Sequence, residues 1–322
     1  MRVLVTGAQG CIGAWIVKQL LERSIEVVVY DLDPEPRRLS LIASPEQIKH
    51  VSIETGSIED TARVKALVRD GGITHIVHLA ALLIPVCQAH PVRGGLVNVV
   101  GTLNVFEAAR DAGRPIRVVY ASSAAVWGPE EAYGDRVLTE SDVLLPNTHY
   151  GIFKQANEGN AHVFYAQDGI SSVGLRPWTV YGVGRDSGLT GDPTIATKAV
   201  VLKQPFQIRV TGFMDMQYVE DVAATFIESL LTDLEGAHVF NLSGEIVEMN
   251  ALIRMLDELR PGAARRITAA GAKVPVAHKL DSSQLHKLIP GIPHTPLKEG
   301  LERTLNHFER LQREGRLSSK LI

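Results

Sequence analysis

Short apolar runs alternate with amphipathic stretches from the first residue of the chain to residue 176. The continuous apolar runs predict buried strands, because a strand that helices cover on both faces shows no polar alternation. Between them, apolar residues recur every three to four positions, which is typical of helices that lie on a sheet. The predicted strands are residues 2–6, 26–31, 51–53, 73–79, 116–122 and 172–176, and the predicted helices are residues 12–22, 61–68, 96–109 and 150–165. This alternation predicts an α/β fold, a doubly wound parallel sheet of the Rossmann type.

The pattern changes after residue 176. Residues 177–193 are rich in Gly, Pro, Asp and Thr, which predicts a long functional loop. The elements predicted beyond it are a helix at residues 218–231, a strand at 238–242 and helices at 250–259 and 296–314. We therefore predict a sheet domain and a smaller, mostly helical C-terminal lobe. The sheet domain comprises residues 1–176 and 218–245, and the lobe comprises residues 177–217 and 246–322.

The composition is that of an ordinary globular protein, with 45% hydrophobic and 21% charged residues, so a disordered chain is excluded. The 33 basic and 36 acidic residues leave a formal net charge of −3, and we expect no nucleic-acid partner. Two cysteines are too few for a disulfide scaffold or a zinc ribbon, and we expect no metal site. No apolar run reaches the ~20 residues of a membrane span, and we expect no leader before the first strand. We therefore expect a cytoplasmic protein without a membrane partner.

Three glycines separate the first predicted strand from the first predicted helix: Gly7, Gly10 and Gly13. Without Cβ atoms the backbone can approach a pyrophosphate here, and the helix amino terminus offers free N–H groups. Asp31 ends the second predicted strand, where a carboxylate accepts hydrogen bonds from the adenosine ribose and repels a 2′-phosphate. The sequence therefore predicts NAD as the cofactor. Arg37 and Arg38 lie close by and keep NADP as an alternative, although acidic Asp33 and Glu35 precede them.

A second group of residues predicts acid–base chemistry. Tyr150 and Lys154 are spaced i and i+4, on one face of a predicted helix. Ser123 follows the strand at residues 116–122, and the carboxyl ends of parallel strands face the ligand crevice. A tyrosine has an ordinary pKa near 10, and a neighbouring cation lowers it. We predict that Tyr150 takes a proton from a substrate hydroxyl that Ser123 hydrogen-bonds, while Lys154 lowers the pKa of Tyr150 and holds the nicotinamide ribose.

As a set, these motifs resemble the extended short-chain dehydrogenases/reductases of the NAD-dependent epimerase/dehydratase family. The resemblance also includes Val77-His78-Leu79-Ala80-Ala81, Asn98-Val99-Val100-Gly101-Thr102, Val126-Trp127-Gly128, Arg176-Pro177-Trp178-Thr179-Val180-Tyr181-Gly182 and Tyr218-Val219-Glu220-Asp221-Val222-Ala223. It implies that Asn98 joins the catalytic set and supports Lys154 through water. The further cofactor contacts that it implies are Cys11, Ile12, Ser57, Ile58, Leu79, Ala80, Ala81, Asn98, Ala121, Tyr150, Lys154, Pro177, Thr179 and Val180. It also implies a homodimer built from helices 96–109 and 150–165.

The residues expected to meet the substrate depart from the family's usual pattern. Nucleotide-sugar epimerases of the family usually have asparagine where Thr179 stands and arginine where Met214 stands, and a lobe arginine is also missing. Because a diphosphate needs charge-assisted donors, we expect UDP- and dTDP-sugars to bind weakly. The candidate substrate contacts are Leu82, Ser123, Ala124, Trp127, His149 and Arg185. The alternatives for the last three are core packing for Trp127, helix capping for His149, and a solvated loop position for Arg185.

Three functions remain open from the sequence. We first predict an NAD-dependent oxidoreductase that acts on a secondary alcohol or ketone of a small polyhydroxylated substrate, such as a free sugar or sugar acid. The first alternative is an NAD-dependent sugar or nucleotide-sugar epimerase, which oxidises and then reduces the same carbon. The second alternative is a non-catalytic NAD-sensing protein. The intact set of Ser123, Tyr150 and Lys154 argues against that sensor, and Ala124-Ala125 supplies no carboxylate for dehydratase chemistry.

Overall fold

The computed structural model describes residues 1–321, and its largest element is a seven-stranded parallel sheet. The strands of the chain are β1 (Arg2–Thr6), β2 (Glu26–Asp31), β3 (Ser52–Thr55), β4 (His75–His78), β5 (Arg117–Ala121), β6 (Ser172–Arg176), β7 (Thr179–Tyr181), β8 (Phe206–Ile208), β9 (Phe213–Tyr218), β10 (Ala237–Asn241), β11 (Glu245–Glu248) and β12 (Ile267–Ala269). The large sheet has the order β3-β2-β1-β4-β5-β6-β10. β1 therefore pairs with both β2 and β4, and the strand order reverses beside it. The predicted doubly wound parallel sheet is confirmed.

Thirteen α-helical segments are described between residues 1 and 321. They are α1 (Cys11–Glu22), α2 (Arg37–Ile42), α3 (Pro45–Ile48), α4 (Thr61–Asp70), α5 (Ile84–Ala89), α6 (Pro91–Gly95), α7 (Gly101–Arg110), α8 (His149–Asp168), α9 (Asp192–Leu202), α10 (Val219–Leu231), α11 (Met249–Leu259), α12 (Ser283–Leu288) and α13 (Leu297–Arg313). A π-helical turn at Leu96–Val100 joins α6 to α7. Within the described residues, no helix is long and apolar enough to cross a membrane.

The alternating direction of side chains along β1 assigns the helices to two faces of the sheet. Val3 and Val5 belong to a core cluster with residues of α1 and α10, whereas Leu4 packs with residues of α4 and α7 on the other face. All three side chains are fully buried. A strand covered on both sides buries successive side chains, which is why continuous apolar runs of the sequence predicted these strands.

The C-terminal lobe contains more elements than were predicted. The two predicted helices are present as α11 and α13, but the lobe also contains α9, a three-stranded sheet, β11-β9-β7, and a pair, β12-β8. β7, β8 and β12 are three residues long, and strands of that length carry too little alternation to be recognised in a sequence. The loop predicted at residues 177–193 contains β7 and ends where α9 begins. α9 is buried on nearly all sides, so it lacks the amphipathic period by which a surface helix is predicted.

Candidate active site

A cleft of about 450 Å³ lies at the carboxyl ends of β1, β4, β5 and β6. Its floor is the crevice where the strand order reverses, because the chain continues outward from β1 to β2 and returns to β4 on the other side. Loops at such a point diverge and leave room for a ligand. The cleft is therefore in the place where doubly wound sheets bind nucleotides.

The glycine turn fits the pyrophosphate of a dinucleotide. Gly7 has a φ of +68°, and a Cβ atom there would lie 2.5 Å from the backbone nitrogen of Ala80. A Cβ atom at Gly13 would lie 2.6 Å from Cα of Ala8. α1 then begins at Cys11 with no side chain capping its amino terminus and no acidic residue in its first turn. Its first N–H groups are consequently free to bind phosphate oxygens.

Asp31 lies at the end of β2 and lines the cleft, and its contact with the adenosine ribose stays a prediction. Its carboxylate accepts hydrogen bonds from the backbone N–H groups of Gln9 (2.9 Å) and Asp33 (3.2 Å). Both bonds fix the carboxylate on the cleft wall, where it can accept hydrogen bonds from ribose hydroxyls. Ser57 and Ile58 line the same end of the cleft.

The residues of the predicted acid–base set converge at the other end of the cleft. α8 begins at His149, and the hydroxyl of Thr148 caps it by accepting a hydrogen bond from Gly151 N (3.0 Å). One turn separates Tyr150 from Lys154, whose Nζ lies 5.6 Å from the centre of the tyrosine ring. Lys154 Nζ donates to the carbonyl oxygen of Ala121 at 2.5 Å, which ties α8 to the end of β5. Ser123, two residues after β5, lines the cleft with both of them.

The pKa values of the pair differ from the sequence expectation. Desolvation lowers the pKa of the Lys154 ammonium to about 8. Desolvation raises the pKa of the Tyr150 phenol above its ordinary value, while Ser123 and the guanidinium of Arg185 oppose the rise. The Lys154 ammonium donates to the carbonyl oxygen of Ala121, and a lowering of the Tyr150 pKa by this lysine stays a prediction. The guanidinium of Arg185 is a cation that favours the phenolate.

Arg185 lies on the cleft wall in the loop between β7 and α9. Its Nη2 donates to the hydroxyl of Thr190 at 2.8 Å. Its Nε atom is buried and has no hydrogen-bond partner among residues 1–321, and no carboxylate of that range forms an ion pair with the guanidinium. The guanidinium therefore has no salt bridge within residues 1–321, and it borders the same cleft as Tyr150.

Most of the predicted contacts lie together on this cleft. In addition to those above, its wall includes Gly10, Ile12, Leu79, Ala80, Ala81, Leu82, Ala121, Pro177 and Val180. Five predicted residues are elsewhere among the described residues: Asn98, Ala124, Trp127, His149 and Thr179. Ala124 and Thr179 are buried below the surface of the cleft, and His149 is exposed at the start of α8, where its ring stacks on Phe153.

Asn98 acts on the loop after β4 instead of reaching the cleft. It lies in the π-helical turn, and its side chain accepts from Leu82 N (2.7 Å) and donates to Leu82 O (2.9 Å). Its own carbonyl oxygen accepts a hydrogen bond from Asn157 Nδ2 at 2.8 Å. The side chain that was expected to support Lys154 is thus used to hold Leu82, which lines the cleft. π-helical turns inside α-helices are frequent at functional sites.

The tryptophan on the cleft wall is Trp178, not Trp127 as the sequence analysis expected. Trp127 is fully buried, donates to Asn241 Oδ1 (3.2 Å) and lies under the guanidinium of Arg176, 4.7 Å from the ring centre. Trp178 borders the cleft and donates its indole N–H to Ala277 O (2.8 Å) in the C-terminal lobe. Core packing, the alternative for Trp127, is therefore correct.

Arg38, which the sequence analysis considered for NADP, also borders the cleft. The cleft residues that sequence reasoning did not include are Gln9, Tyr30, Leu32, Asp33, Gly56, Glu59, Leu83, Arg93, Val97, Ser122, Trp178, Gly184, Asp186 and Ser187. Some had a signal in the sequence: Gln9 lies inside the glycine turn, and Asp186 follows Arg185 directly. Nothing in the sequence pointed to Arg93, because it reaches the cleft only through the packing of α6.

Comparison with known proteins agrees with this geometry. The sequence model described as "NAD dependent epimerase/dehydratase family" matches residues 3–243. The chain belongs to this family. UDP-glucuronate 4-epimerase from Thermodesulfobacterium geofontis is 27% identical over 324 residues, which cover 94% of each protein. The structure of UDP-glucose 4-epimerase from Thermus thermophilus in complex with NAD is 28% identical, with a TM-score of 0.78 over 96% of this chain and 99% of that one.

A further similar structure is MoeE5 in complex with UDP-glucuronic acid and NAD. It is 28% identical, with a TM-score of 0.80, and the match covers 96% of this chain and 99% of that one. The family membership and the fitting cleft together make this protein an enzyme that uses NAD. When bound, NAD supplies the group that accepts or donates hydride.

Proposed function

We propose that this protein is an NAD-dependent epimerase of a sugar that carries a carboxylate and is linked to a nucleoside diphosphate. The observation that carries the proposal is Arg185, a cleft guanidinium beside Tyr150 with a buried, unpartnered Nε among the described residues. A planar guanidinium matches a carboxylate in a bidentate pair. The relatives support the epimerase better than the free-sugar dehydrogenase that the sequence favoured.

The chemistry follows from the arrangement of the side chains. Tyr150 is the only phenol at the inner end of the cleft within residues 1–321, so it takes the proton of the reacting hydroxyl and later returns it. Ser123 hydrogen-bonds the same oxygen. Lys154, held by Ala121 O, keeps a positive charge near the cofactor ribose and the reacting oxygen. Arg185 orients the sugar by its carboxylate and favours the phenolate of Tyr150.

Incubation with UDP-glucuronate tests this proposal. We expect inversion at one carbon, seen as a new UDP-sugar by NMR, without accumulation of reduced cofactor, because an epimerase returns the hydride within each turnover. The absorbance of NADH shows whether reduced cofactor accumulates. One equivalent of NADH formed per substrate, with a ketone product, would instead assign the protein as a dehydrogenase.

Arg185→Ala is expected to lower kcat/KM for the carboxylated sugar by about 10–100-fold, because one charge-assisted interaction of ~1.5–3 kcal/mol is lost. Activity on the neutral UDP-glucose should change much less. Arg37→Ala, which removes a guanidinium with 78% side-chain exposure, serves as the control. An equal loss with both sugars, or none with either, contradicts the assigned role.

The second candidate is a dehydrogenase of a free sugar acid. It is favoured by Met214 and Thr179, which are both fully buried and offer the cleft no charged donor for a diphosphate. Calorimetric titration of the NAD-loaded protein with UDP and with free glucuronate separates the two candidates. Micromolar binding of UDP supports the epimerase, and binding of glucuronate without UDP supports the dehydrogenase.

We also propose a homodimer that forms through α5, α6, the π-helical turn and α8. Apolar side chains are exposed together on these elements: Ile84, Val86, Val92, Leu96, Val100, Ile152 and Val163. An apolar patch of this kind is typical of a protein–protein contact. Light scattering should give twice the chain mass of 35.1 kDa, and a monomer at all concentrations would exclude this interface.

A further inference from the structure

Arg38 has the position of a residue that binds the 2′-phosphate of NADP. It lies at the start of α2 and borders the adenosine end of the cleft. Its Nη1 donates to Gln9 O at 2.7 Å, while Gln9 N donates to Asp31. The guanidinium and the ribose-binding carboxylate therefore lie on either side of a single residue of the glycine turn. An arginine near that carboxylate is the feature by which a doubly wound fold accommodates NADP.

The guanidinium is nevertheless fully engaged by the protein itself. Nε donates to Gly184 O (3.0 Å) and to Asp186 Oδ2 (3.1 Å), and Nη2 donates to Asp186 Oδ1 (2.7 Å). All three nitrogens thus have partners in two distant segments of the chain, the glycine turn and the loop between β7 and α9. The pair with Asp186 is bidentate, which is the strongest geometry for an arginine and a carboxylate.

We propose that Asp186 is a determinant of cofactor choice, because it sequesters Arg38 and so withholds it from a 2′-phosphate. The preference for NAD then has two sources. Asp31 repels the 2′-phosphate directly, whereas Asp186 occupies the guanidinium of Arg38, which would otherwise neutralise it. The inference concerns the cofactor and not the substrate, so it holds whichever substrate the cleft takes.

The neighbouring Arg37 does not compete with Arg38 for the ribose site. Its side chain is 78% exposed, its Nε lies 3.9 Å from Asp33 Oδ2, and it does not line the cleft among the described residues. Arg38 and Asp186 are 31% and 50% exposed, so Asp186 can be replaced without opening the core. Release of Arg38 would leave a charged, half-buried donor at the ribose site.

Titration of the cofactor-free full-length protein with NAD and NADP tests the inference. We expect Asp186→Ala to tighten NADP binding by about tenfold, the effect of one freed charge-assisted hydrogen bond. The affinity for NAD should change much less, because a free ribose hydroxyl gains little from the guanidinium. Asp186→Asn, which keeps the size of the side chain, should have the same effect in smaller degree.

Arg38→Ala combined with Asp186→Ala provides the control. If Asp186 acts by sequestering Arg38, the gain in NADP affinity disappears in the double variant. Retention of the gain would overturn the proposal, because it would assign the effect to the lost negative charge alone. An unchanged ratio of NADP to NAD affinity in Asp186→Ala would overturn it as well.

Discussion

Replacing Tyr150 with phenylalanine is expected to lower turnover by about 10²–10⁴-fold and to leave the fold intact, because a positioned acid–base group contributes that much. The phenol is the group at the inner end of the cleft that can transfer the proton of the substrate hydroxyl. Steady-state kinetics together with circular dichroism measure both effects. Tyr165→Phe is the matched control, since this phenol of the same helix makes one weak bond to Glu235 at 3.4 Å. Wild-type turnover of Tyr150→Phe would exclude the proposed proton transfer.

Lys154→Met should lose turnover to a similar extent, because it removes the positive charge that is proposed to lie near the cofactor ribose and the reacting oxygen.

The burial of Lys154 also predicts how stability depends on pH. Desolvation lowers the pKa of Lys154 from 10.5 to about 8 in the folded protein. The unfolded chain therefore binds this proton more tightly, and the stability of the cofactor-free wild type should rise as pH increases from about 8 to 10.5. Chemical denaturation across that window should show a weaker rise for the variant. Equal slopes would mean that Lys154 has an ordinary pKa.

The second large effect concerns the buried ion pair behind the catalytic helix. Glu158, two turns after Tyr150 on α8, accepts two hydrogen bonds from Arg176 at 2.8 Å each and one from Ser122 at 2.5 Å. The side chains of Glu158 and Arg176 are only 7% and 3% exposed. This network joins α8 to β6 and to the residue before Ser123, so it fixes the catalytic groups relative to each other.

Glu158→Gln should therefore lower the free energy of unfolding by about 3–5 kcal/mol, because it leaves the buried charge of Arg176 without a counterion. Chemical denaturation with the two-state fit measures the loss. Glu22→Gln breaks an exposed i,i+4 pair with Lys18 and should change stability by less than about 1 kcal/mol. A loss of similar size in both variants would show that burial does not determine the strength of the Glu158 pair.

The sequence by itself determined the central sheet, the glycine turn and the positions of Ser123, Tyr150 and Lys154. Each of these follows from a local pattern: an apolar run, a spacing of glycines, or an i,i+4 pair at the end of a strand. The doubly wound topology then brings these residues close together, because the carboxyl ends of all the parallel strands lie on one edge of the sheet. No side-chain contact had to be known in advance.

Only the tertiary structure decided which side chains are free and which are engaged. Two tryptophans that both lie in motifs of the family differ in their surroundings: Trp127 packs under Arg176, whereas Trp178 borders the cleft. Two arginines of the cleft also differ in their partners: Arg38 is bound by Asp186, 148 positions away in the chain, whereas Arg185 has only the hydroxyl of Thr190 as a side-chain partner among the described residues. The charge and size of the two side chains are the same before folding. The difference arises because folding brings a distant carboxylate to one guanidinium and leaves the other facing the cleft.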